Sequence, residues 1–214
     1  KGYLPAAVLN YLLLLGWAPE GEQEIFSLDE MIKIWDPARI SKSPAIFDPL
    51  KLRAINAAYI RALPAEEFRR LADPFIDSAV HCSIDRDLLC ANLQPRCEVL
   101  EDIPPQLDFF DAVLPIDAEM YRNKKQKTTP ESAKEALTAL LPVLEAQTDW
   151  TRDAIVEACK TLAESMEKKN GWLLFPLGIA LSGKSRTPGG GTDLAAMMGK
   201  EETVKRVKAA LEKL

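Results

Sequence analysis

The sequence predicts an all-α protein, on three observations. Apolar residues fall into helix-length segments, proline and glycine cut those segments apart, and no stretch alternates apolar with polar residues as a half-buried strand does. Helix-start chemistry recurs at the expected places: Ser27 with Glu30, Thr129 before Pro130, and Thr151 before an amphipathic run.

Taken in order, Pro5 suits a first helical turn, and AAVLNYLLLLGW runs apolar to Gly16, a C-terminal stop. Ser27 and Glu30 form a capping box opening SLDEMIKIW, which Pro37 limits. DPARISKSPAIFDP, from Asp36 to Pro49, reads as a proline-studded loop. Helical spacing returns over about Leu50 to Ala62, Ala65 to Ala72 and Asp85 to Cys90. DIPPQLDFFDAVLP is a break carrying an aromatic pair, and YRNKKQKTTPE, the most hydrophilic stretch, reads as an exposed linker with a boundary near Lys127. PESAKEALTALLPVLEAQ and TRDAIVEACKTLAESMEKKNG then read as amphipathic helices, the second closing on Gly171. WLLFPLGIAL is an apolar run leading to a glycine-rich turn, and EETVKRVKAALEKL is a terminal helix with a basic face.

The 214 residues and 47% hydrophobic content allow one large domain or several small ones. No apolar run reaches the length of a membrane span, so a soluble protein is expected. The chain opens at Lys1-Gly2 without an initiating Met or a signal-peptide pattern, as expected of part of a longer polypeptide. Cys82, Cys90, Cys97 and Cys159 include no C-x-x-C pair, and His81 is the one imidazole. Neither a zinc site nor a disulfide framework is expected, and reduced thiols point to the cytoplasm. His81 and Cys82 are neighbours in sequence, read as pointing apart on a helix and lacking a third orienting group. Net charge is −5, yet residues 168–214 carry a local +5 and the preceding residues −10. On charge alone the C-terminal cations suit a solvated helix face better than a polyanion surface.

GIALSGKS, Gly178 to Ser185, fits the phosphate-loop consensus and raises nucleotide hydrolysis as a function. A working phosphate loop needs a strand before the glycines and a helix starting at the Lys-Ser end, whose free N–H groups hold the phosphates. Here RTPGGGT follows, with a proline and three glycines against helix formation. The match is expected to be accidental. ISKSP, Ile40 to Pro44, is similar to the lysine loop of class I aminoacyl-tRNA synthetases but also lacks its setting.

A broader likeness covers the chain. GYLPAAVLNYLLLLGW resembles the segment that follows the catalytic domain in bacterial glutamyl-tRNA synthetases. EIFSLDEMIKIWDPARISKSPAIFDPLKLRAINAAYIR is similar to that family's stem-contact region, through Ser41, Phe47, Asp48, Lys51, Leu52, Asn56, Tyr59 and Ile60. QPRCEVLEDIPPQLDFF resembles a first anticodon-binding helical unit, and PLGIALSGKSRTPGG with GKEETVKRVKAAL resembles a second.

The resemblance implies a stem-contact helical domain over residues 1–62, then two small anticodon-binding helical subdomains over 63–127 and 128–214, of helical-cage type. It implies the tRNA-binding C-terminal part of a class I glutamate-tRNA ligase, whose catalytic domain lies outside this chain. No cofactor is expected on the chain itself, with ATP and magnesium serving the full-length enzyme. The implied partner is tRNA(Glu), with no DNA and no membrane, and the implied protein is a cytoplasmic monomer. Arg96 matches an arginine that reads the last anticodon base in the resembling enzymes, a pairing with Glu98 or Glu101 on its own helix being the alternative. Thr187 and Pro188 match base-contacting positions. The family often has Arg where this chain has Gly178, and Lys184 and Arg186 are the substitutes. Lys42, Lys51 and Arg53 are candidates for phosphate contacts on the tRNA stem. A helical protein-interaction scaffold is the remaining alternative.

Overall fold

A computed structural model describes residues 2–42 and 44–214. Among them are ten α-helices, short 3-10 turns and no sheet; Trp17 with Ile40 and Asn123 with Thr128 form isolated antiparallel bridges. Among the described residues no helix is long and apolar enough to cross a membrane. The chain divides into two compact units, residues 1–76 with 93–104 and residues 77–92 with 105–214.

In the first unit, α1 (Pro5–Gly16) packs on α3 (Pro49–Ala62), with α2 (Leu28–Ile34) beside α1. Pro5 is the first residue of α1 and Ser27 and Glu30 form the expected reciprocal cap of α2. Asp48 caps α3 by accepting from the amides of Leu50 and Lys51. Two buried asparagines tie these helices to loops. Asn10 donates to the Glu24 carbonyl at 2.8 Å and accepts from the Phe26 amide at 2.8 Å. Asn56 accepts from the Leu4 amide at 2.8 Å and donates to the Glu98 carbonyl. Fixing loop backbone through buried amides satisfies groups that burial would otherwise leave costly. α4 (Ala65–Asp77) runs a turn past the expected Ala72, through Pro74.

The second unit is a bundle around α8 (Asn170–Ser182). Packed on it are α6 (Pro130–Ala146), α7 (Arg152–Ser165), α9 (Gly191–Met198) and α10 (Lys200–Lys213). Trp172, Leu173, Leu177, Ile179 and Leu181 are all buried and Leu174 and Phe175 half-buried, so the apolar run without a visible period is a helix covered around most of its circumference. α5 (Arg86–Leu93) joins this unit by the Asp85 amide, which donates to the Met197 carbonyl. Phe109 and Phe110 stack at 4.5 Å in the core.

Besides α4, and α9, which begins at Gly191 in the stretch read as a glycine-rich turn, three elements differ from expectation. α7 ends at Ser165, because Glu167 (φ +56°) takes the left-handed position and the Lys168 amide turns back to the Ala163 carbonyl. Gly171 therefore lies inside α8. The Gln126 side chain lies against it, its oxygen 1.8 Å from where a Cβ would stand, so a larger residue there would only turn that flexible side chain aside. The hydrophilic stretch before α6 is a closed turn, with Asn123 and Thr128 exchanging amide–carbonyl bonds at 3.0 Å.

α10 is the third. Arg206 is buried, with only 3% of its surface exposed, and its guanidinium donates to the carbonyls of Phe109, Phe110 and Leu181. Lys200 caps the carbonyls of Glu145 and Gln147, Lys205 pairs with Glu202, and Lys208 pairs with Glu145. Most of the basic face thus meets groups of its own unit.

Candidate functional site

In the first unit, Arg96 ends a 3-10 turn, Gln94–Arg96, that continues from α5. Gln94 fixes the turn by donating to the carbonyls of Ile60 (3.0 Å) and Leu63 (2.8 Å) at the end of α3. Cys97 next to it is buried, and burial pushes its thiol up to about 12. The Arg96 side chain is exposed. Of its two alternative partners Glu98 is taken, pairing with Arg53 at 2.8 Å, and Arg53 also pairs with Asp102. These two carboxylates raise the Arg53 pKa above its ordinary value. Nor is Arg96 on a regular helix that would bring Glu98 or Glu101 one turn away. Of the stem-contact candidates, Lys42 is exposed, Lys51 pairs with Glu24 at 2.6 Å, and Arg53 is held as described.

In the second unit, Lys184, Arg186, Thr187 and Pro188 share the loop between α8 and α9. Gly183 closes α8 at φ +69°, where a Cβ would meet the Leu114 carbonyl oxygen at 2.7 Å. Five of the eight residues of GIALSGKS are therefore the last turns of a helix, and no helix begins at Lys184-Ser185. The helix-terminal N–H groups that cradle phosphate are missing, as expected. Gly178 is interior to α8 and faces Gly191 of α9, whose Cα lies 3.9 Å from the position of an added Cβ.

The loop is braced from within. Lys184 donates to the Pro105 carbonyl at 2.9 Å and pairs with Asp108. Thr187 donates to the Gly189 carbonyl at 2.6 Å, and Pro188 is buried. Asp193 accepts from the Gly190 amide at 2.8 Å and from Arg152. Arg186 is the exposed cation of the segment. Of the five nominated base contacts, Arg96 and Arg186 present open guanidinium groups, each on its own unit.

His81 and Cys82 lie on a loop and not on a helix. Asp111 supplies the orienting group that the sequence hid, accepting from both backbone amides and meeting His81 Nδ1 at 2.6 Å. These bonds hold the Asp111 carboxyl well below the usual carboxylate range. Burial, with Asp111 beside it, pushes the Cys82 thiol up, which opposes thiolate chemistry.

Sequence reasoning missed the Gln94 clamp and the buried Arg206. The second was legible: Thr203, Arg206, Val207 and Ala210 fall at i, i+3, i+4 and i+7 and all are buried.

Residues 51–211 match the family model described as anticodon binding domain. The chain belongs to the anticodon-binding domain family. Residues 1–54 match the catalytic-domain model of class I tRNA synthetases (E and Q), which thus extends over much of the segment read from sequence as stem contact. The glutamate–tRNA ligase of Clostridium botulinum strain Hall is 45% identical over 214 residues, all of this chain and 44% of that protein. The ligase of Clostridium acetobutylicum is 44% identical with the same coverage. A solved glutamate tRNA ligase from Elizabethkingia meningosepticum, in complex with its amino acid, superposes with a TM-score of 0.82 at 29% identity, covering all of this chain and 42% of that one. Glutamate-tRNA synthetase from Elizabethkingia anophelis gives 0.79 at 28%, covering 99% and 41%. This anticodon-binding domain chain thus spans less than half the length of the relatives it matches.

Proposed function

We propose that the chain is the tRNA-binding, C-terminal portion of a glutamate–tRNA ligase. It recognises the anticodon loop of tRNA(Glu), and the rest of the ligase attaches glutamate with ATP and magnesium. The observation that carries this reading is an open arginine on a clamped turn, Arg96, inside the anticodon-binding match. An anticodon is a single-stranded loop whose bases can be splayed and read on their Watson–Crick edges. Cytosine offers O2 and N3 acceptors to a guanidinium, whereas guanine presents N1 and N2 donors that oppose it. Glutamate anticodons end in C, so Arg96 selects them.

Arg186 takes the second reading position. Lys184, Thr187 and Pro188 serve it by holding the loop and offering its backbone. Lys42 meets stem phosphate directly, and Lys51 and Arg53 join on exchanging their carboxylates for phosphates. The division into stem-contact domain (1–62) and two anticodon-binding subdomains (63–127, 128–214), a monomeric state, a cytoplasmic location and the absence of DNA and membrane partners belong to the same proposal. The test is filter binding of the chain to tRNA(Glu) and to an unrelated stem-loop across a salt series, with pyrophosphate exchange alongside. Salt-sensitive binding that prefers tRNA(Glu), with no glutamate-dependent exchange, is expected. Equal binding to both RNAs overturns specific recognition, and ATP turnover dependent on Lys184 would restore the nucleotide-hydrolase reading.

A further inference from the structure

The turn between Asn123 and Thr128 carries three lysines in four residues, Lys124, Lys125 and Lys127, all exposed. It is a defined shape. The bridge closes it, Asn123 Oδ1 accepts from the amides of Lys125 (3.0 Å) and Gln126 (3.1 Å), and Lys127 adopts φ +55°. A non-glycine residue held in the left-handed region is uncommon and fixes the direction in which that side chain leaves the backbone. At its tip, Gln126 lies over Gly171, two residues beyond Lys169 and three beyond Lys168. Those two follow the other described non-glycine residue with positive φ, Glu167. Lys168 stands over the Trp172 ring at 5.1 Å, and Lys169 is exposed. Two separate segments that meet where Gln126 lies on Gly171 thus carry five lysines on one unit.

The two acids that flank the turn in sequence are occupied. Glu119 pairs with Arg122 at 2.7 Å, and the Thr129 hydroxyl together with its own backbone amide holds the Glu131 carboxylate. The contrast with α10 is informative, because there Lys200, Lys205, Arg206 and Lys208 are consumed by carbonyls and carboxylates of the unit. Five like charges on two meeting segments repel one another unless a polyanion meets them, and a row of phosphates does so at each ammonium.

We infer that the Lys124–Lys127 turn, with Lys168 and Lys169, is a docking surface for the phosphate backbone of tRNA, outside the residues that read bases. The inference rests on the tRNA-binding reading above. It supplies the non-specific, salt-dependent part of the affinity that a chain of net charge −5 needs to approach RNA.

The test compares two triple variants of the whole chain with equal net charge. One is Lys124→Gln/Lys125→Gln/Lys127→Gln; the other is Lys33→Gln/Lys160→Gln/Lys213→Gln. All six side chains are exposed and a thermal melt checks folding. Binding of tRNA(Glu) is measured against salt. Removing one lysine–phosphate pair makes the slope of log affinity against log salt shallower by about 0.7 to 0.9, so the first variant's slope should be shallower by about 2 to 3. The second should keep the wild-type slope. An unchanged slope in the first variant, or an equal change in both, overturns the surface while leaving anticodon recognition standing. A wild-type chain that binds no tRNA removes both.

Discussion

Arg96 is restrained through its backbone and left open at its side chain, the combination a base reader needs. In the complete ligase, Arg96→Gln should reduce the ratio of kcat/KM for tRNA with an anticodon ending in C over one ending in G by about tenfold, equivalent to about 1.4 kcal/mol. Gln both donates and accepts, so it no longer opposes guanine. An unchanged ratio with an intact fold would make Arg96 structural. Asp111 supports a different kind of prediction. Its folded pKa is depressed, so its contribution is present above the ordinary carboxylate pKa and is lost as pH falls toward the folded value. Asp111→Asn should therefore lower the thermal midpoint at pH 6 and flatten the decline of stability below about pH 4. A variant whose midpoint follows wild type throughout that range would show that the carboxylate holds nothing. At this scale the sequence hides most of the site. It shows that Lys184 follows a glycine but not that its ammonium meets the Pro105 carbonyl, 79 residues away.

Among the elements, the crossing of α8 and α9 turns on two glycines with opposite demands. A Cβ on Gly191 would lie 2.6 Å from the Leu174 carbonyl oxygen and 3.0 Å from the Gly178 amide nitrogen, whereas one on Gly178 would find ordinary van der Waals separation at 3.8 Å. Gly191→Ala should thus destabilise by about 1 to 3 kcal/mol, through forced separation of backbones. Gly178→Ala, interior to a helix and unstrained, should be neutral or stabilising by up to about 1 kcal/mol. Urea unfolding midpoints decide this; a Gly191→Ala protein as stable as wild type would mean that the crossing relaxes freely. The helix starts at Pro5, Ser27, Thr129 and Thr151 were readable because caps are local chemistry. The end of α7 was not. Gly171 looked like a stop, since glycine usually fills the left-handed position, but Glu167 fills it and Gly171 lies in the first turn of α8.

For the molecule as a whole, the exposed large hydrophobic side chains among the described residues are confined to residues 9–50, including Ile46 at 87% and Leu50 at 77% exposure. That segment lies inside the match to a synthetase catalytic domain. Ile46→Asp/Leu50→Asp should reduce binding of a hydrophobic dye without lowering the thermal midpoint, because neither side chain packs into the first unit. Dye binding equal to wild type would locate the sticky surface elsewhere. The all-α class was legible because helical spacing and capping repeat along the chain. The division into two units was not, because residues 77–92 join a bundle whose other parts follow residue 104.

Arg206 gives that division an order in time. Its guanidinium gathers the carbonyls of Phe109, Phe110 and Leu181, so the second unit, to which α5 already belongs, closes only when a residue far down the chain has been made. The first unit has all of its residues once position 104 is made. At a synthesis rate of about 5 to 20 residues per second, roughly 5 to 20 s separate the two completions. During that interval the clasp of the second unit has yet to be translated.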